Sequence, residues 1–421
     1  MIRNSLIQLF IAIVGGNLAN AEWPQWGGPK RDFTVSSVGL ADSWPASGPK
    51  TVWHRELGDG YSSIVYSDGV LYTMYRKERT GKREYAIALD ATNGNTLWEH
   101  SNKSPLLSRD DSGWGGQGPN STPLIVGGRL YTIGSSGVLH CFDKSNGEVT
   151  WEHDLLEEFD VSPNNHVGYS PSPIAYERTL IIPLGGPRSR KRAESYGTND
   201  KGQTLVALNQ ATGEILWSSL EYNVGESSPI LIRFAEKDQL VLTCRRRMVG
   251  VDPKSGALLW EHPVGGSIVT PVWNGVDSIF YSSGGDNAVG RVVRLKESGD
   301  GIAVEELWSN RKINVWQPTP VYADGCFYGS TKELLICADM TTGERHWVKR
   351  GFPMASCIRA DNKLIILDEN GTLTLGSASR DGFTVYSQSK VTERYSFTVP
   401  TLVEKRLYVR DRRHIMAFDI G

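Results

Sequence analysis

Residues 88–98 read ALDATNGNTLW and residues 141–151 read CFDKSNGEVTW. Both place Asp, Gly and Trp at one ungapped spacing: Asp90, Gly94 and Trp98, then Asp143, Gly147 and Trp151. The spacing returns at Asp252, Gly256 and Trp260 and at Asp339, Gly343 and Trp347. A further copy has Asn for Asp: Asn209, Gly213 and Trp217. Two places before each Asp or Asn stands a small residue: Ala88, Cys141, Ala207, Gly250 and Cys337. Asp and Asn side chains bond to backbone N–H groups two residues on, and Gly takes the positive φ that tight turns need. Each copy therefore predicts a hairpin turn, and the strand after it ends in a large aromatic.

Upstream of these turns lies a second pattern: an apolar strand, a short polar turn, then a hydrophobic–aromatic pair. The pairs include Leu71-Tyr72, Leu130-Tyr131, Phe327-Tyr328 and Leu407-Tyr408. Each unit reads as four antiparallel strands, a to d, joined by hairpins within about 40–50 residues, the period of a propeller blade. Trp98, Trp151, Trp217, Trp260, Trp308 and Trp347 mark six d strands, with a degenerate seventh near Tyr386. The last unit, residues 398–419, has three strands, and residues 50–57 with Trp53 can supply its fourth. The expected fold is all-β: an eight-bladed β-propeller over residues 50–421, its last blade closed by an N-terminal strand. Such closure removes an open sheet edge.

The N-terminus reads as a secretory signal over residues 1–21. Arg3 is the positive start, residues 6–14 are apolar but for Gln8, and Ala19-Asn20-Ala21 fits a small-x-small cleavage site. The apolar run is too short for the ~20 residues of a membrane span. No Cys sits at the junction, so a soluble periplasmic or secreted chain is expected, with no transmembrane segment and residues 22–49 leading into the propeller. Lysine plus arginine total 45 against 47 aspartate plus glutamate. That balance gives no reason to expect nucleic acid. A monomer is expected.

The Ala-x-Asp-x-x-x-Gly-x-x-x-Trp pattern resembles the tryptophan-docking motif of the pyrroloquinoline-quinone-like, quinoprotein alcohol dehydrogenase-like propeller repeats. Non-enzymatic members include an outer-membrane assembly lipoprotein. The opening Trp23-Pro24-Gln25-Trp26-Gly27-Gly28-Pro29 is similar to the mature N-terminus of exported bacterial proteins with these repeats. The resemblance implies the fold and leaves the function open. Quinone-dependent members carry two adjacent cysteines over the cofactor and hold calcium with Glu, Asn and a catalytic Asp. Here no two cysteines are adjacent, and no acidic or amide cluster can be matched to that calcium set. Trp114 and Trp316 are the two residues that could be nominated as a quinone-stacking floor or a partner contact. The expectation is a non-catalytic binding or scaffold propeller with no cofactor, against the alternative of an oxidoreductase using pyrroloquinoline quinone with calcium.

Five cysteines lie at 141, 244, 326, 337 and 357. Cys141 and Cys337 occupy the small-residue position of the repeat and are expected to be buried. A Cys326–Cys337 disulfide stays open, because the two flank one hairpin. Aligning that hairpin on residues 130–143 puts Phe327 opposite Cys337, and a one-residue slip reverses the face. His166 has no nucleophilic partner identifiable in the sequence, and Asp110-Asp111 and Asp368-Glu369-Asn370-Gly371 resemble ion loops only faintly. The latter has the composition of a hairpin turn.

In a four-stranded blade the b–c and d–a loops emerge on one face. Here they are the long ones: 76–84, 101–120, 153–169, 184–203 and 284–290. The b–c loops of blades 1, 3, 4 and 8 carry Arg76, Lys77, Arg79, Lys82 and Arg83; Arg188, Arg190, Lys191, Arg192 and Lys201; Arg245, Arg246 and Arg247; and Arg410, Arg412 and Arg413. They carry far fewer acids: Glu78, Glu84, Glu194, Asp200 and Asp411. The expected working surface is this basic face, with Arg245, Arg246, Arg247, Arg412 and Arg413 as candidate contacts for an anionic partner, a protein or an acidic glycan.

Overall fold

The repeated turn folds as its chemistry requires. In blade 1 the Asp90 carboxylate accepts the Thr92 N–H at 2.7 Å. The Gly94 N–H reaches the Asp90 carbonyl at 2.8 Å and the Asp90 N–H reaches the Asn95 carbonyl at 2.9 Å. Gly94 and Gly147 sit at φ of 75° and 76°, a region that penalises any side chain. Beyond the turn, strand d bulges and sets its Trp opposite the small residue of strand c: Trp98 against Ala88, Trp151 against Cys141, Trp217 against Ala207, Trp260 against Gly250 and Trp347 against Cys337. The bulky ring explains the small partner; a Cβ on Gly250 would stand 2.1 Å from the Trp260 Nε1.

Repetition of this unit produces eight separate sheets built on four antiparallel strands each, two of them with a fifth strand, Thr34–Val35 on blade 7 and Val161–Ser162 on blade 3. The computed structural model describes residues 22–36, 39–105, 118–162, 168–187, 203–265, 268–283, 288–299, 301–393 and 395–421. The signal region, Trp114, Asp110-Asp111, His166 and the basic residues 188–192 and 201 lie outside the described residues. Blade 1 runs from Val65–Ser67 to Thr96–Lys103 and blade 2 from Leu124–Val126 to Val149–Asp154. Blade 7 runs from Ser356–Ala360 to Gly382–Lys390, and its d strand holds Tyr386. Blade 8 consists of Thr401–Val403, Arg406–Arg410 and His414–Asp419, with Lys50–Glu56 as strand d, so Lys50 faces Asp419 and Trp53 faces Ala417. The blades are thus closed from both ends of the chain.

What locks neighbouring blades is the same Trp. The rings of Trp53, Trp98, Trp151, Trp217 and Trp308 lie on the turn glycine of the next blade, and in all of these but Trp217 the N–H donates to the carbonyl of the residue after the Asp or Asn. Trp53 donates to Ala91 at 2.9 Å, Trp98 to Lys144 at 2.9 Å, Trp151 to Gln210 at 3.3 Å and Trp308 to Met340 at 3.0 Å. Blade 5 lacks the turn motif, and Trp260 of blade 4 donates instead to Gln239 in its own blade at 2.6 Å. A second lock lies at the inner strands. The Thr122 N–H donates to the Ser172 hydroxyl, the Ser172 N–H to Ser228 and the Ser228 N–H to Thr270, at 3.0, 2.9 and 3.2 Å. Each of these residues precedes a proline, so a recurring Ser/Thr-Pro step was the signal for this belt.

The segment before the closing strand crosses the face made by the a–b and c–d turns. Trp23 is buried and bridges to Tyr66. Pro24 accepts the Ile125 N–H. Arg31 donates to the carbonyls of Pro173 and Pro229, and Thr34–Val35 pairs in parallel with strand a of blade 7. Burial pushes the Arg31 pKa down to about 9.

Hairpin register corrects one expectation. Tyr328, not Phe327, faces Cys337, while Cys326 faces Asp339. The reference hairpin behaves alike, with Tyr131 facing Cys141. The aromatic of the hydrophobic–aromatic pair, rather than its first residue, is therefore the one set opposite the small position.

Candidate functional site

The strand order places the b–c and d–a loops together, and a groove of about 950 Å³ opens there between blades 1, 7 and 8. Its walls include Leu57 and Asp59 after the closing strand, Lys77, Glu78 and Arg79 from the b–c loop of blade 1, and Lys390, Glu393, Tyr395 and Arg413. Tyr395 is 52% exposed. Its ring stacks 6.2 Å from Phe397, which in turn meets Tyr61 edge-on at 5.6 Å. A short aromatic row thus runs from the groove, bordered by lysine and arginine heads. Sequence reasoning singled out Arg412 and Arg413 here but missed Tyr395 and Lys390, because nothing in a d–a loop marks which aromatic stays outside.

The basic face is thinner than the sequence suggested, because several of its arginines are structural. Arg76 is fully buried and its guanidinium meets Glu84 at 2.7 Å. Glu84 also accepts the Ser135 N–H at 2.9 Å, so the pair joins blades 1 and 2. Arg410 is fully buried as well and donates to the carbonyls of Ser62 and Met74, joining blade 8 to blade 1. Burial lowers its pKa to about 10. Arg412 is held by Asp59 at 2.8 Å, and Arg247 bonds Glu261 at 3.0 Å while lying over the Tyr222 ring. These side chains exchange solvent for carboxylates and carbonyls inside the fold. Lys77, Arg79, Lys82, Arg83, Arg245, Arg246 and Arg413 remain exposed. Arg245 to Arg247 sit on blade 4, across the ring from Arg412 and Arg413 on blade 8, so the five do not form one patch.

Trp316 is half-buried in the loop before strand a of blade 6, with the Lys332 ammonium 4.6 Å from its ring centre. That stacking face is already occupied by a cation. Asp368 begins the expected b–c hairpin: it is buried and accepts the Thr372 N–H at 2.8 Å, and burial raises its pKa. Among the described residues, the one grouping of three potential metal ligands is Cys326, Asp339 and His346. It lies at the a–b and c–d turns of blade 6, away from the groove. A mixed sulfur, oxygen and nitrogen set does not fit calcium, which takes six to eight oxygens. That grouping therefore does not fit a calcium site.

A family model described as outer membrane protein assembly factor BamB, PQQ_2, matches residues 82–349, more than half of the chain. The chain is 22% identical over 301 residues to the outer membrane protein assembly factor BamB of Shewanella oneidensis, covering 69% of this chain and 71% of the relative. Among solved structures, the quinohemoprotein alcohol dehydrogenase of Comamonas testosteroni is similar with a TM-score of 0.54 and 12% identity, covering 95% of this chain and 81% of that one. Saccharomyces cerevisiae Sqt1 is similar with a TM-score of 0.60 and 11% identity, covering 89% and 99%. At such identities the two structures speak to fold alone. No helix among the described residues is long and apolar enough to cross a membrane.

Proposed function

This chain belongs to the PQQ_2 family, described as outer membrane protein assembly factor BamB, and from that membership we propose that it is an exported, monomeric, non-catalytic scaffold that binds a protein partner. Residues 1–21 are the signal, removed after Ala21, and the mature chain works in the periplasm or outside the cell. Its working surface is the face of b–c and d–a loops, where the groove between blades 1, 7 and 8 lies. The observation that carries this reading is the groove itself, with exposed Tyr395 between the cationic heads of Lys77, Arg79, Lys390 and Arg413.

The favoured partner is an acidic protein segment rather than a glycan. Glu56, Glu78 and Glu393 line the groove together with the basic residues, which suits a chain of mixed side chains better than a uniform polyanion. Arginine binds carboxylates through a paired fork, and the aromatic row supplies apolar contact. Titration with acidic peptides bearing an aromatic residue, followed by fluorescence anisotropy, tests this. Binding that weakens steeply with salt supports it; equal binding of acidic and basic peptides speaks against it.

A further inference from the structure

The Asp that ends strand c meets a different residue of strand b in different blades. Val70 faces Asp90, Arg129 faces Asp143 and Arg406 faces Asp419, whereas in blade 6 Cys326 faces Asp339. Directly facing residues of paired strands put their side chains side by side. The bulge of strand d re-aims the residue before the Trp. Blades 1 to 5 have Leu97, Thr150, Leu216, Leu259 and Leu307 there, and blade 6 has His346. Blade 6 thus collects a thiol, a carboxylate and an imidazole at one corner, and their ligand atoms lie within 4.8 Å of one another. Cys326 is 1% exposed and Asp339 8%. The Asp339 Oδ1 accepts the N–H groups of Thr341 and Thr342 at 2.9 Å each, which leaves Oδ2 towards the imidazole. The His346 Nε2 is buried without a hydrogen-bond partner, 3.9 Å from that oxygen.

We propose that Cys326, Asp339 and His346 bind one zinc ion, with water in the fourth position. Zinc takes sulfur, imidazole nitrogen and carboxylate oxygen together in a tetrahedron. Bonds of ~2.0–2.3 Å at the tetrahedral angle set neighbouring donors about 3.3–3.7 Å apart, so the three side chains need to draw in by only about 1 Å. The thiol gives up its proton to solvent as the Zn–S bond forms. The thiolate and the carboxylate then balance the two charges of the ion. The Glu344 carboxylate, 3.9 Å from the His346 Nδ1, stands on the side where an outer carboxylate orients a metal-bound imidazole.

Arg380 is the competitor. It lies in the c–d turn of blade 7 and its guanidinium bonds the Asp339 Oδ2. In blade 8 the matching carboxylate, Asp419, is held instead by Arg406 of its own sheet at 2.7 Å. The Arg380 side chain is 57% exposed, and an exposed ion pair contributes little, so the ion can replace it at small cost. The corner is built for a cation, and in the metal-free chain a long arm from the next blade supplies one.

The test uses the full chain stripped with a chelator, then titrated with zinc against a chromophoric competitor and, separately, with cobalt(II) as a spectroscopic probe. The expected result is one equivalent of zinc bound at micromolar or lower free metal. Cobalt should give a thiolate charge-transfer band and the strong visible bands of a four-coordinate ion. Cys326→Ser should abolish the charge-transfer band, and His346→Gln should weaken zinc binding by at least about tenfold. Cys244→Ser, in blade 4, should leave the band unchanged. Arg380→Ala should bind zinc severalfold more tightly than wild type, because a competing cation is gone; damage to the fold would act in the opposite direction. Absence of stoichiometric zinc at micromolar free metal overturns the proposal. A charge-transfer band that survives Cys326→Ser, or an Arg380→Ala variant that binds zinc no better than wild type, does so too.

Discussion

The Trp98 ring of blade 1 covers Gly147 of blade 2 so closely that a Cβ on that glycine would stand 2.5 Å from the indole. Gly147 also holds a φ of 76°, so a side chain meets steric and backbone strain together. Gly147→Ala should destabilise the protein by about 1–3 kcal/mol, seen as a lower urea midpoint. Gly128→Ala, at an a–b turn with nothing within 4 Å of its added Cβ, should be close to neutral. Equal midpoints for the two variants would show that the docking contact contributes nothing.

Closure by Lys50–Glu56 leads to a second expectation. That strand supplies the whole outer edge of blade 8 and sets Trp53 on blade 1. Deleting residues 22–57 leaves the strand His414–Asp419 unpaired on one side, an edge open to another chain. The deletion should aggregate or fail to fold in size-exclusion chromatography. A soluble variant with a cooperative thermal transition would contradict the closure.

Acid should weaken the fold through His140. This residue is buried on strand c of blade 2, stacked 5.4 Å from Phe142. Burial, and then the neighbouring His100, push its pKa down to about 4; Glu152, well exposed at 3.4 Å, does not offset this. The unfolded chain takes a proton near pH 6.5 and the native chain only near 4, so the stabilisation is complete above about pH 6.5 and is lost as pH falls towards 4. The loss is on the order of 2–3 kcal/mol over that window. His140→Gln should flatten the decline of the urea midpoint between pH 7 and pH 4.5. An unchanged slope would assign the acid sensitivity elsewhere.

Pyrroloquinoline quinone with calcium is expected to bind no more tightly than micromolar. Among the described residues the one grouping of three potential metal ligands is of mixed sulfur, oxygen and nitrogen, and the Trp316 ring already carries Lys332. Calorimetric titration with both components checks this; sub-micromolar binding would restore the oxidoreductase reading.

Much of the fold was legible because the repeat is local chemistry. Asp90, Gly94 and Trp98 fix a turn, a bulge and a docking ring within nine residues, and repetition spreads that unit around the ring. The missing d strand of blade 8 could be found by counting. The site was far less legible. Arg76 and Arg410 look like loop charges in sequence, but the chain folds them inward onto Glu84 and onto carbonyls of the next blade. Such pairing depends on contacts between blades, which no local spacing encodes. The register of the blade 6 hairpin failed for a smaller reason: choosing Phe327 over Tyr328 shifts the hairpin by one residue, and one residue exchanges the two faces of a strand.

The loop face is tested most directly by retention on a resin bearing an acidic peptide with an aromatic residue, eluted in a salt gradient. The protein is run beside two variants of equal charge loss. One has Arg79→Ser and Arg413→Ser in the groove; the other has Lys237→Ser and Lys254→Ser at the a–b and c–d turns of the opposite face. The groove variant is expected to elute at clearly lower salt than wild type, and the opposite-face variant beside it. Elution of all three at one salt concentration, or a larger shift for the opposite-face variant, would contradict a working surface on the b–c and d–a loops.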